Sequence, residues 1–210
     1  MSNIHGVIFD MDGVLIDARE WHYRALNQAL ATFGLTIDRA AHEGEFDGLP
    51  TREKLRRLSE RYGLPESLHP FINELKQMYT LQEIWQHCWP DFRHQYALAQ
   101  LKRSGYRVAV ASNSIRASME TMLGRAQLLP FLDFYLSNED VSRGKPDPEI
   151  YHTAIRMLEL SPRQCVIVED NPHGIAAARA SGAHVLAVSG PGEVTRERIY
   201  AFIQECEQTS

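Results

Sequence analysis

The stretch Ile4-His5-Gly6-Val7-Ile8-Phe9-Asp10-Met11-Asp12-Gly13-Val14 decides the fold. Its first part is an apolar run of strand length. The run does not alternate apolar with polar residues, so both of its faces are expected to be buried. That is the signature of a strand in a parallel sheet covered by helices on each side. It stops at two aspartates spaced by one residue and followed by glycine.

Further runs of the same kind recur along the chain, at 107–111 (led in by Gly105-Tyr106), weakly at 134–136, at 165–168 and at 184–188. Segments of crossover length with helical spacing lie between them, near 92–104, 115–123, 149–159 and 174–181. The alternation predicts an α/β fold, a doubly wound, Rossmann-like parallel-sheet core. A last helix is expected at 195–207.

Residues 17–90 break the rhythm. Trp21, Ala25, Leu26, Ala29, Leu30 and Phe33 repeat at helical spacing up to Gly34, a plausible stop. Leu55, Leu58 and Tyr62 form a second stripe before Gly63, and a third helix is expected over about 67–85. Asp17 is expected to open the first of these helices as its N-cap. The reading is an all-helical insertion at 17–90, set over the end of the first strand as a cap, in a catalytic core made of 1–16 and 91–210.

Composition narrows the partners. Hydrophobic residues at 44% and charged residues at 23% are ordinary for a globular protein, and the net charge of −5 is no nucleic-acid surface. No apolar run is long enough to span a membrane, and residues 1–10 carry no secretory signal pattern. Three cysteines, Cys88, Cys165 and Cys206, are far apart and odd in number, which argues against disulfides and fits a reducing compartment. A cytoplasmic protein, monomer or weak homodimer, is expected.

In an open parallel sheet, functional groups gather at the carboxyl ends of the strands. Here those ends read Asp10-Met11-Asp12-Gly13, then Ser112-Asn113-Ser114, then Gly144-Lys145-Pro146-Asp147-Pro148 on the third connection, then Glu169-Asp170-Asn171. One aspartate after a strand is usually a turn or cap residue. Four acids, Asp10, Asp12, Glu169 and Asp170, converging on one edge would repel one another unless a hard divalent cation joined them, and Mg2+ is the usual one beside phosphate. Ser112, Asn113 and Lys145 then offer hydrogen bonds and positive charge to phosphate oxygens.

In this order and spacing, the four motifs resemble the haloacid dehalogenase superfamily over essentially the whole chain. The insertion directly after the first motif is similar to the subclass of β-phosphoglucomutases and small-metabolite phosphatases. The resemblance implies an aspartyl-phosphate formed on Asp10, with Asp12 as acid and base. It also implies a magnesium ion held by Asp10, Asp170 and the backbone carbonyl of Asp12, with Glu169 behind them as a second-shell or water-mediated ligand. Phosphate would be held by Ser112, Asn113 and Lys145. The presence of Asp12 argues against dehalogenation, because a halide leaving group needs no proton.

Three residues of the insertion resemble substrate contacts of the mutases: His22, Arg52 within Gly48-Leu49-Pro50-Thr51-Arg52-Glu53, and Lys76. Each is also of a type common on solvated helix faces. Ala18 stands where mutases carry a small hydroxyl residue, and Ser112-Asn113-Ser114 is the phosphatase pattern. The expected activity is therefore hydrolysis of a small phosphomonoester, a sugar phosphate in kind, with a phosphosugar mutase as the alternative. A receiver-type signalling module would lack the insertion and pair its acids differently. A silent binding protein would have no need of the complete set.

Overall fold

The computed structural model describes residues 4–46 and 49–208. The chain divides into two compact units, Met1–Asp17 with Trp89–Ser210, and Ala18–Cys88.

The first unit is built on five strands: β1 (Gly6–Phe9), β2 (Arg107–Ala111), β3 (Phe134–Leu136), β4 (Cys165–Glu169) and β5 (His184–Ala187). All pair in parallel in the order β3-β2-β1-β4-β5. The α/β expectation is correct, and β1 starts two residues later than the apolar run, at Gly6. The central strands β1 and β4 are buried along their whole length, which is why their sequences do not alternate.

Two layers of helix cover the sheet. On one face Ile8, Ala109 and Ile167 pack against Ile150, Tyr151 and Ala154 of α7 (Glu149–Met157) and against Ala177 of α8 (Pro172–Ala180). Side chains one residue along each strand point the other way. α5 (Phe92–Arg103) and α9 (Arg196–Gln208) also pack on strands and on each other. Each fully buried Val, Ile or Leu contributes roughly 1.5–3 kcal/mol, so this layered core is what holds the strand ends in place. α6 (Arg116–Arg125) follows β2. The three cysteines are buried thiols.

The second unit is helical: α1 (Arg19–Ala31), the single turn α2 (Arg39–Ala41), α3 (Thr51–Tyr62) and α4 (His69–His87). α1 and α4 pack along each other around Leu26, Leu30, Phe46, Leu55, Leu58 and Ile72. α3 stops at Gly63, whose φ of +69° is left-handed, with its N–H on Ser59 O.

Three details of the sequence reading need correction. The N-cap of α1 is Ala18, which makes no side-chain cap bond, so the cap position falls one residue after Asp17. Tyr62 is 44% exposed and lies under the Arg61 guanidinium rather than in the core. The π-helical turn His42–Phe46 had no periodic signal, yet it delivers the fully buried Phe46. Gly48, quoted with the Arg52 loop, lies outside the described residues.

Candidate active site

Parallel register sets the first level of the site. Phe9 is paired with Val110 on one side and Val168 on the other. The next residues along, Asp10, Ala111 and Glu169, therefore stand abreast at the carboxyl edge, and Asp10 N donates to Val168 O at 2.9 Å.

Lys145 closes this level from the β3–α7 connection. It is 5% exposed, and its three ammonium hydrogens have three acceptors: Asp10 Oδ1 at 2.6 Å, Glu169 Oε1 at 2.6 Å and Ala111 O at 2.9 Å. Asn113 holds the backbone that carries it, accepting from Lys145 N at 3.0 Å and donating to Lys145 O at 3.2 Å. The side-chain amide of Asn113 thus fixes the lysine loop.

Glu169, 1% exposed, has all four acceptor positions filled. Oε1 takes Lys145 and the Tyr151 hydroxyl, the latter at 2.6 Å, and Oε2 takes the N–H groups of Asp170 at 3.0 Å and Asn171 at 3.3 Å. This carboxylate fits only because residue 174 is glycine: a Cβ there would stand 1.9 Å from Oε1.

The charges are unequal. Burial pushes Asp10 well above the usual carboxylate range; the Lys145 ammonium opposes this, and the Glu169 and Asp12 carboxylates add to it. Burial would lower Lys145, but the carboxylates of Asp10 and Glu169 outweigh it and hold the ammonium above the ordinary lysine range. Burial, with Glu169 and Asp10 close by, also raises the Tyr151 phenol far above its usual value, so it donates and does not ionise. One ammonium between two buried carboxylates leaves a surplus of negative charge.

Asp12 sits on the next level, in the tight turn after β1. Its Oδ2 accepts from the hydroxyls of Ser112 at 3.1 Å and Ser114 at 2.7 Å, and Ser112 Oγ accepts from Ser114 N at 3.0 Å. The turn depends on Gly13, whose φ is +89° and whose missing Cβ leaves room for Asp170: a Cβ would lie 2.1 Å from Oδ2 of that carboxylate.

Carboxylate oxygens of Asp10, Glu169 and Asp170 all lie within 4.8 Å of one another. This all-oxygen set, with surplus charge and a cradle kept open by Gly13, fits a hard divalent cation. Since Glu169 is saturated, Asp10 and Asp170 are the side chains left to ligate one, and the Asp12 carboxylate is turned to the serines.

Within the helical unit, the Lys76 ammonium lies 3.4 Å from His22 Nδ1. A lysine can only donate, so Nδ1 is the acceptor of this contact. Arg52 is exposed on the first turn of α3, whereas Arg56 and Arg57 are engaged by Glu53. Two contacts of the site have no signal of their own in the sequence. Ser114 is the last residue of the run Ser112-Asn113-Ser114 and differs from Ser112 in nothing but position, and Tyr151 reads as core at its helical position.

Fold and site together define an α/β enzyme whose chemistry is carried by carboxylates at adjacent strand ends. The chain belongs to the haloacid dehalogenase-like hydrolases, whose family pattern matches residues 7–188. It is 30% identical over 182 residues to a phosphorylated carbohydrates phosphatase of Thermotoga maritima, covering 85% of this chain and 82% of that one. To the β-phosphoglucomutase of Bacillus subtilis it is 27% identical over 194 residues, covering 89% and 84%. In three dimensions it matches the crystal structure of a Clostridium difficile β-phosphoglucomutase with a TM-score of 0.83 at 23% identity, over 96% of this chain and 98% of that one. Among the described residues no helix is long and apolar enough to cross a membrane.

Proposed function

We propose that this chain is a magnesium-dependent phosphatase that hydrolyses a small phosphomonoester, a sugar phosphate in kind, through an aspartyl-phosphate on Asp10. The observation that carries the reading is the Lys145 ammonium bridging Asp10 and Glu169 at 2.6 Å each, with Asp170 beside them. That arrangement aims Asp10, and a cation beside it would offset the burial and the neighbouring carboxylates that hold its pKa up, leaving it ionised as a nucleophile needs.

Asp10 attacks phosphorus in line, and the P–O bond to the leaving alkoxide breaks. Asp12 gives that alkoxide a proton, and later takes one from the water that attacks the aspartyl-phosphate. Both serine hydroxyls bond to Asp12 Oδ2 and orient the carboxyl for that exchange. The Ser112 hydroxyl, turning its one proton from Asp12 to the substrate, and the backbone N–H of Asn113 serve the phosphoryl oxygens, and Lys145 balances the charge of Asp10. Magnesium, held by Asp10, Asp170 and the carbonyl of Asp12, supplies charge neutralisation for the transferring group when bound.

The test is a panel of sugar phosphates with magnesium. Release of inorganic phosphate above an Asp10→Asn control, abolished by a chelator and restored by magnesium, supports the reading; a panel with no member turned over above that control removes it. A second reading, a phosphosugar mutase, draws on the His22–Lys76 contact and on the mutase among the relatives. In it His22, Arg52 and Lys76 recognise a second anionic group. Incubation of β-glucose 1-phosphate with a bisphosphate primer decides it: glucose 6-phosphate supports the mutase, and free phosphate as sole product rules it out.

A further inference from the structure

The buried Tyr151 hydroxyl has no part in the chemistry above. Tyr151 is the third residue of α7, fully buried in the core between helix and sheet, where a phenylalanine would fill the same space. Its hydroxyl is accounted for by one partner, Glu169 Oε1 at 2.6 Å, the same oxygen that receives Lys145. The face of its ring lies 4.8 Å from the Lys145 ammonium, close enough for cation–π attraction. Tyr151 therefore touches both groups that stand behind Asp10, and neither has another position to go to while these contacts hold.

We propose that Tyr151 is a positioning residue for Asp10: its hydroxyl fixes Glu169, and Glu169 fixes the Lys145 ammonium on the nucleophile. The inference rests on the reading of Asp10 as that nucleophile. Hydrogen bonds in a buried chain polarise one another, and an unfilled acceptor in such a chain is costly. Without the phenol, Oε1 has an open position, and the carboxylate and its lysine can shift together away from Asp10.

The test is Tyr151→Phe, which keeps the ring and its packing and removes only the hydroxyl. Two readouts are taken on the full chain, beside thermal unfolding to show a cooperative fold. The first is steady-state hydrolysis of p-nitrophenyl phosphate with magnesium, where kcat is expected to fall about tenfold while KM stays within about twofold. The second needs no turnover: reductive methylation with formaldehyde and borohydride, followed residue by residue by mass spectrometry. Lys145 is expected to be protected in the parent protein and labelled faster in Tyr151→Phe, with half-buried Lys102, paired to Asp133, unchanged. Unaltered kcat and unaltered Lys145 labelling would overturn the proposal, as would a loss confined to KM or an equal acceleration at Lys102.

If the parent protein hydrolyses no phosphate ester, the phosphatase reading falls, and labelling alone decides whether Tyr151 holds Lys145. If Tyr151→Phe shows no cooperative transition, Glu169→Gln interrupts the same chain one link further on. It must then speed labelling of Lys145 selectively, and failure to do so overturns the proposal.

Discussion

The strand-end edge of the α/β unit and the helical unit solve different problems with the same residue types. At the edge, Asp10 and Glu169 stand abreast, Lys145 reaches them from the β3–α7 connection, and all three are buried and joined by bonds of 2.6 Å. In the helical unit the charged groups are mostly on the surface: Glu53 meets Arg56 and Arg57, and Glu45 meets Arg61, all substantially exposed. Ion pairs in water are worth little, whereas a broken buried one leaves an uncompensated charge. The contrast teaches that conserving charge is enough for the helical surface, while the edge requires the individual atoms.

The largest effect that can break this comparison is chemical. Asp10→Asn removes the nucleophile, and turnover is expected to fall by about 10⁴ or more; His22→Ala or Lys76→Ala is expected to cost about tenfold, mainly in KM. Equal losses in the two regions, measured by steady-state kinetics, would erase the distinction. Asp12→Asn comes next, with an expected loss of about 10²–10⁴ in kcat on an alkyl phosphate. In the burst of leaving group, which precedes hydrolysis of the aspartyl-phosphate, the loss should shrink sharply on p-nitrophenyl phosphate, whose leaving group needs no proton. An equal loss of burst rate on both substrates would deny Asp12 its role as acid.

Two glycines sharpen the comparison through stability. Gly174→Ala forces a Cβ to within 1.9 Å of Glu169 Oε1, and the variant is expected to lose several kcal/mol, about 3 or more, with loss of activity. Gly34 also has a restricted backbone, φ +72°, but nothing within 4 Å of a built Cβ. Gly34→Ala should therefore cost only about 1–2 kcal/mol, the price of a left-handed alanine. Urea unfolding of the two variants checks the order.

The smallest effect is a pH dependence. Hydrogen bonds from Arg56 and then Arg57 bring Glu53 down to about 2. A carboxylate whose folded pKa is depressed contributes stability above its ordinary range and loses it as the pH falls through the folded value. The pairs thus count at neutral pH and fade between about pH 4.5 and 2. Because Glu53 is solvated, the contribution is about 0.3–0.5 kcal/mol. Glu53→Gln should lower the thermal midpoint slightly at pH 7 and not at pH 2.

The same contrast explains what the sequence disclosed. Val7-Ile8-Phe9 and Cys165-Val166-Ile167-Val168 read as parallel strands because burial on both faces erases alternation, and register then forces Asp10 and Glu169 into line. Tyr151 was invisible as a site residue, since its position in α7 satisfies helical packing and a pattern of apolar positions does not register a hydroxyl. Asp17 looked like a cap by residue type, but the backbone turn falls one residue later, on Ala18. The π-helical turn at His42–Phe46 follows no apolar period, so only its packing reveals it. His22 and Lys76 were named singly from resemblance; that they lie 3.4 Å apart depends on how α1 packs along α4, which no local spacing encodes.

The central claim is that Asp10 carries the phosphoryl group. Acid quenching during turnover with magnesium, reduction with borohydride and peptide mass spectrometry report on it directly, because an acyl phosphate is reduced to an alcohol and a free carboxylate is not. The account predicts homoserine at position 10 and nowhere else, dependent on substrate and absent in Asp10→Asn. Turnover at full rate with an unreduced Asp10, or with the reduced residue at Asp12 or Asp170, would contradict it.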